Sequence, residues 1–119
     1  MKKTTRNTKK LTLVEAQKIV HTWGSNPKFK VGYFPPFQML AQLMEEAGEV
    51  SREVAHLHGF KKKKKGEITD GLEIELGDVL FAVICLANYH ELNLAEIFQK
   101  SMDKRNNRDN SRFEKKPRN

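Results

Sequence analysis

The chain has 119 residues, a single cysteine, 38% hydrophobic and 31% charged residues, and a formal net charge of +7. That length holds one core rather than two, and one cysteine excludes a disulfide framework or a thiolate zinc site within the chain. The positive excess lies in Met1–Lys10, Lys61–Lys65 and the stretch from Lys100 to Arg118, around an acidic middle; it favours anionic partners such as phosphates, nucleic acid or an anionic surface, although solvation alone also explains such runs.

Residues 1–10 are polar, basic and without periodicity, and read as a disordered arm. Thr12, with Glu15 three residues on, predicts a capping box ahead of Leu13, Ala16, Val20 and Trp23 at helical spacing, with Gly24 as the stop. Asn26-Pro27, Gly32 and Pro35-Pro36 then break regular structure, leaving a loop whose Phe29, Tyr33, Phe34 and Phe37 either pack on the bundle or line a pocket. From Phe37 to about His58 a second helix is expected, with Leu40, Leu43, Met44, Ala47, Val50, Val54 and Leu57 as its apolar stripe. Glu46 falls at the edge of that stripe, Glu49 beside it, and Glu45 almost opposite its centre, facing solvent or supporting the others.

Gly59 ends the second helix, Lys61–Lys65 forms an exposed connector, and Asp70 with Glu73 predicts a capping box for a third helix from Leu72 to about His90. Beyond Asp78 that helix is apolar nearly all round, with Cys85 as a small apolar filler inside Val79–Ala87. The nine-residue run is too short to span a bilayer, and no apolar leader core follows the basic N-terminus, so a cytoplasmic protein with no membrane contact is expected. The Asp70 cap, and the lack of any other strand-like segment, favour a helix here over a buried strand. A helix with no polar face needs cover on every side, which three short neighbours barely provide, so a second subunit is expected. Asn93 and Glu96 cap a fourth helix buried along Leu94, Phe98, Met102 and the stem of Arg105, and the short turn at Glu91–Asn93 makes helices three and four antiparallel neighbours.

The chemistry concentrates in Glu45-Glu46-Ala47-Gly48-Glu49 and Glu75-Leu76-Gly77-Asp78. At about 100° per residue, Glu46 and Glu49 project about 60° apart from one helix face, and Glu75 and Asp78 repeat the spacing on the next helix. Two such pairs facing each other make a four-carboxylate site, which survives only if a hard cation or protons neutralise it. Carboxylates without thiolates suit Mg²⁺, and Lys and Arg on the fourth helix would meet phosphate oxygens; acids for the metal and bases for phosphate are what phosphoryl or nucleotidyl chemistry requires. Glu53-x-x-His56 has the spacing of di-iron four-helix proteins, but these need a second such motif, and Glu75-x-x-Asp78 has aspartate where histidine is required.

The pattern Glu45-Glu46-x-x-Glu49 followed by Glu75-x-x-Asp78 resembles the signature of the MazG-like nucleoside triphosphate pyrophosphohydrolases of the all-α NTP pyrophosphatase superfamily. Tyr33-Phe34-Pro35-Pro36, Leu72–Asn88 and Lys104-x-Asn106-x-Arg108-Asp109 are similar to its short single-domain branch, and the likeness covers residues 11–113, leaving an arm at 1–10 and a polar tail at 114–119. The resemblance implies an all-α, four-helix MazG-like protomer in an oligomeric helical bundle, a homodimer or homotetramer, hydrolysing an NTP or dNTP between the α and β phosphates to the monophosphate and pyrophosphate. It implies Glu46, Glu49, Glu75 and Asp78 as Mg²⁺ ligands and catalytic residues, Lys104 and Arg108 on phosphates with Asn106 in support, and Phe34 on the nucleoside side. Some relatives carry a histidine or tryptophan near these positions, where this chain has Phe34 and, as a pocket-rim or surface residue, His56. The rival reading is a basic helical nucleic-acid-binding or partner-binding module without catalysis; salt-dependent nucleic-acid binding with no magnesium-dependent turnover would distinguish it.

Overall fold

The computed structural model describes residues 10–25 and 32–109, so the basic arm before Lys10, the Asn26-Pro27 break with Phe29, and the polar tail after Asp109 lie outside the described residues. Four helices follow in order, α1 (Leu13–Gly24), α2 (Pro36–Leu57), α3 (Leu72–Tyr89) and α4 (Leu94–Asp109), with no strand among the described residues. Thr12 caps α1 as expected: its hydroxyl accepts from the Glu15 N–H at 3.1 Å and donates to the Glu15 carboxylate at 3.0 Å. Asn93 does the same for α4, accepting from the Glu96 N–H at 3.2 Å.

Two helix starts differ from expectation. Pro35-Pro36 does more than break the chain: Pro36 is the first residue of α2, where a fixed φ suits the helix and the missing N–H leaves no bond unmade. Asp70 does not cap α3. The cap is Gly71 at φ 88°, without a side-chain bond, and its carbonyl accepts from the Glu75 N–H at 3.1 Å. That positive φ is one glycine adopts without strain, and it moves the boundary one residue past the aspartate.

The principal contact is α2 against α3, with α1 laid on α3 and α4 on α1. Pairings run in opposite senses along α2 and α3, Glu49 with Glu75 and Glu46 with Asp78, so the two helices are antiparallel. Met39, Ala82, Ile84 and Ala87 form the buried apolar core, and Trp23 packs edge-on against Phe81 with ring centroids 5.7 Å apart.

Most of the expected stripe on α2 is open in the protomer: Leu40, Met44, Ala47, Val54 and Leu57 are exposed and Leu43 and Val50 half-buried, whereas Met39 and Glu53 are buried and Gln42, Glu46 and Glu49 half-buried. The interhelix face is therefore the mixed, acid-bearing one, and much of the apolar stripe is left uncovered by the protomer.

Nor is α4 the packed neighbour of α3 that its short connection implied. Gln17 explains why: its Oε1 accepts from the Leu94 N–H, and its Nε2 donates to the Leu92 carbonyl and to Asn88 Oδ1, each at 2.8 Å, so the start of α4 is fastened to α1. The turn itself closes with the Leu92 N–H on the Ala87 carbonyl (2.8 Å) and the Glu91 N–H on the Asn88 carbonyl (3.1 Å), the Schellman pattern, but with Glu91 rather than glycine at φ 55°. A non-glycine residue there is strained by about 1 kcal/mol. Glu91→Gly should therefore raise the melting temperature by about 2–6 °C while leaving activity unchanged, as a thermal melt and a turnover assay on the same sample would show.

Candidate metal centre

The α2–α3 contact brings Glu46, Glu49, Glu75 and Asp78 together: each offers one carboxylate oxygen, and these atoms all lie within 4.8 Å of one another. The helical i, i+3 spacing sets each pair on one face, and the antiparallel packing sets the pairs opposite each other. Glu75 is 1% exposed and the other three are half-buried, while Glu45 points to solvent as its wheel position indicated.

Such crowding is visible in the protonation of the acids. A hydrogen bond shared with Glu49, then burial, then the charges of Glu49, Asp70 and Asp78 push the Glu75 carboxyl up to about 7. Burial, followed by the charges of Glu49 and Asp78, raises Glu46 as well. Glu46 Oε2 and Glu75 Oε2 are both buried without a hydrogen-bond partner, one on each side of the groove. Free carboxylate oxygens converging from two helices, with no sulfur or imidazole among them, fit a divalent hard cation.

Along the same groove, toward the start of α2 and the end of α3, lies a predominantly apolar cavity of about 500 Å³. Its walls include Trp23, Phe34, Met39, Phe81 and Cys85, with His21, Tyr33 and Gln42 as polar lining. Phe34 is thus where a pocket residue was expected, while Gln42, one helical turn before Glu46, and Phe81, three residues beyond Asp78, make the cavity continuous in register with the acids. Tyr33 is fixed at its edge: the hydroxyl accepts from Asn88 Nδ2 at 3.0 Å and bonds His21 Nδ1 at 2.8 Å. Both protons of the Asn88 amide are committed, the second to the Gln17 carbonyl at 3.0 Å. Cys85 is half-buried, and burial pushes its thiol up, which suits the filler role.

His56 lies elsewhere, two turns past Glu49 at the other end of the groove, and is not part of the cavity wall; both ring nitrogens are buried without a hydrogen bond. The connector returns beside it: the Lys64 N–H donates to Glu67 at 3.0 Å, and that bond, with the charges of His56 and Arg52, holds the Glu67 carboxylate low. Lys104, Asn106 and Arg108 lie on the exposed part of α4, which packs on α1, so the protomer does not fold them onto the acidic cluster through a helix contact with α2. Sequence reasoning missed His21, Trp23, Gln42 and Phe81 as cavity residues; spacing from the acids would have found the last two, and nothing local marks the first two.

Comparison with known proteins places these helices, with their two opposed acid pairs beside an aromatic cavity, in a nucleotide-hydrolysing class. Residues 34–113 match the MazG nucleotide pyrophosphohydrolase domain, and the chain belongs to that family. MazG-family enzymes are typically dependent on a divalent metal. The Bacillus subtilis (strain 168) protein YpjD, described as uncharacterized, is 47% identical over 89 residues, spanning 75% of this chain and 80% of its own length. A crystal structure of YpjD from Bacillus subtilis, a provisionally assigned pyrophosphatase, superposes with a TM-score of 0.68 at 41% identity, covering 79% of this chain and 94% of that one. A Bacillus-conserved MazG protein described as a nucleotide pyrophosphohydrolase gives 0.65 at 38% identity, covering 79% and 88%. The described helices are not long and apolar enough to cross a membrane.

The raised Glu75 carboxyl fixes the sign of a pH effect. Between about 4.5 and about 7 the folded protein keeps a proton that the unfolded chain has already released, so its stability is greatest at the acid end and is lost as pH rises through that window. In chelator-treated protein the melting temperature should fall across this range, a divalent cation should restore it more at pH 8 than at pH 5, and Glu75→Gln should flatten the profile. A profile equally steep in Glu75→Gln would place the effect elsewhere.

Proposed function

We propose that the protein hydrolyses a nucleoside or deoxynucleoside triphosphate between the α and β phosphates, giving the monophosphate and pyrophosphate, with Mg²⁺ held by Glu46, Glu49, Glu75 and Asp78. The observation that carries this reading is the convergence of those four carboxylates within 4.8 Å next to an apolar cavity. A cation bound there supplies positive charge to phosphate oxygens and acidifies water.

The chain's own groups divide the remaining work. The cavity behind Phe34 and Phe81 receives the nucleoside, so the phosphates extend along the groove toward the acids. One carboxylate takes a proton from the attacking water, whose oxygen ends on one phosphorus while the bridging oxygen leaves with the other. Lys104 and Arg108, four residues apart on α4 and so on nearly the same side, supply the cations for the distal phosphates, with Asn106 beside them; since α4 packs on α1 and not on α2, they reach the groove across the oligomer.

The active form is an oligomer. Phe37 and Met44 on α2 are 87% and 64% exposed, and Leu40, Leu57, Leu76 and Leu80 are also open. So many open apolar side chains on two helices of a small protomer call for a partner, and a second copy with the same stripe supplies one. It also supplies the cover that α3 lacks.

Pyrophosphate release should be measured across the NTPs and dNTPs with and without Mg²⁺. Glu49→Ala and Asp78→Ala should lower kcat/KM by a hundredfold or more, about 2.7 kcal/mol, with unchanged helical circular dichroism; Lys104→Ala should cost about tenfold, or about 1.4 kcal/mol, with an unchanged melt. Orthophosphate as the product, or full activity in Glu49→Ala, would refute the assignment. For the assembly, light scattering should give at least a dimer for the wild type and a lower mass for Phe37→Glu; an active wild-type monomer at micromolar concentration would contradict it.

A further inference from the structure

Arg52 stands one helical turn beyond Glu49, and the reaction above gives it no part. Its guanidinium Nη2 is 3.6 Å from Glu75 Oε1 and its Nε is 3.7 Å from Glu53 Oε1. Glu53 and Glu75 are 3% and 1% exposed, whereas the arginine side chain is 36% exposed, so one cation at the edge of the groove answers two buried carboxylates. Among the described residues no other cation lies within ion-pair distance of either acid.

Both contacts are longer than a hydrogen bond, and Arg52 Nε, Glu53 Oε1 and Glu75 Oε2 are buried without a hydrogen-bond partner. The two oxygens of Glu75 are therefore unlike: Oε2 has no hydrogen-bond partner, and Oε1 is the oxygen left to the guanidinium and to the Glu49 carboxyl. We propose that Arg52 is a positioning residue that engages Oε1 and so restricts Glu75 to one oxygen, Oε2, toward a divalent cation, with Glu53 as the buried counter-charge that keeps the guanidinium in place. The inference rests on the metal reading of the four-acid cluster.

Restricting a carboxylate to one oxygen has a consequence for which ion fits. Mg²⁺ demands near-octahedral coordination and keeps several waters, whereas Ca²⁺ takes six to eight oxygens and accepts carboxylates through both. Holding Oε1 favours the smaller ion. Removing the guanidinium does two separable things: it takes away a positive charge, which strengthens binding of any divalent cation alike, and it frees Glu75 to offer both oxygens, which helps Ca²⁺ more. The ratio of the two affinities cancels the first effect and reads the second.

Chelator-treated wild type, Arg52→Lys and Arg52→Gln should be titrated calorimetrically with MgCl₂ and with CaCl₂, and melted without metal. Lysine retains the charge owed to the buried acids but lacks the planar fork, so Arg52→Lys should melt near wild type in the metal-free state. The Mg²⁺-to-Ca²⁺ ratio of Kd should nonetheless rise by about fivefold in Arg52→Lys and more in Arg52→Gln. If Arg52→Gln does not fold, Arg52→Lys alone decides. Equal changes in both Kd values, or an unchanged ratio, overturn the positioning role and leave Arg52 a neutralising charge. Wild-type protein that binds neither cation overturns the metal reading and this inference with it.

Discussion

The α2–α3 contact puts negative charge where most helix pairs put leucine, and the rest of the fold is arranged around tolerating that. Four carboxylates with ligand atoms within 4.8 Å of one another oppose association of the helices that carry them. Small buried residues offset this on the neighbouring turns: Ala82 and Ala87 of α3, with Ile84 and with Met39 of α2, allow close approach on the cavity side of the acids. Protonation offsets part of the remainder, since the hydrogen bond with Glu49, burial and the neighbouring charges push the Glu75 carboxyl up to about 7. The contact is therefore conditional on a neutralising species. On the proposed reading a cation would be a structural component of the helix pair as much as a reagent, since whatever binds only the folded form stabilises it by mass action.

A second joint stabilises the opposite end of the molecule without charge. Gln17 and Asn88 exchange a side-chain bond, and between them hold the Leu92 carbonyl, the Leu94 N–H, the Gln17 carbonyl and the Tyr33 hydroxyl. Four segments, α1, the residues before α2, the end of α3 and the start of α4, meet in that network. α1 has no fully buried residue, so apolar burial alone does little to hold it. Its placement depends on these bonds and on Trp23 against Phe81, and the cavity wall depends on α1. Because each amide donor in the network is used, losing one member would leave others unpaired, and the cost would exceed that of a single hydrogen bond.

Local signals in the sequence were read correctly where local physics decides them. Thr12 and Asn93 are caps because a side-chain oxygen three residues before a free N–H is sufficient, and the acid pairs share faces because helical spacing alone requires it. Asp70 failed because its neighbour is a glycine, free to take the φ of 88° that shifts the boundary. The periodicity of α2 marks an apolar stripe but not its partner, since it shows that a face is apolar and not what covers it. The cavity was only half legible: Phe34 stood out in an aromatic loop, whereas His21 and Trp23 reach it from α1, a placement that no spacing rule encodes. Arg52 was passed over because beside Glu53 it resembles an ordinary surface pair; only the burial of Glu53 and Glu75 distinguishes it.

The polarity of the groove follows from the same antiparallel register. Moving from the start of α2 toward its end, the lining changes from Met39 and Gln42, opposite Phe81 and Cys85, to Glu46 and Glu49, opposite Asp78 and Glu75, and then to Arg52 beside Glu53. Apolar, anionic and cationic zones succeed one another at intervals of one or two helical turns, about 5–10 Å. A ligand with an apolar ring at one end and several negative charges at the other, neutralised by a hard cation between, matches that order in one direction only. Reversed, it would put phosphate against Phe81 and a base among carboxylates, with both groups desolvated and unpaired. For such a ligand, orientation would be set by the order of residues along two helices before any single hydrogen bond is made.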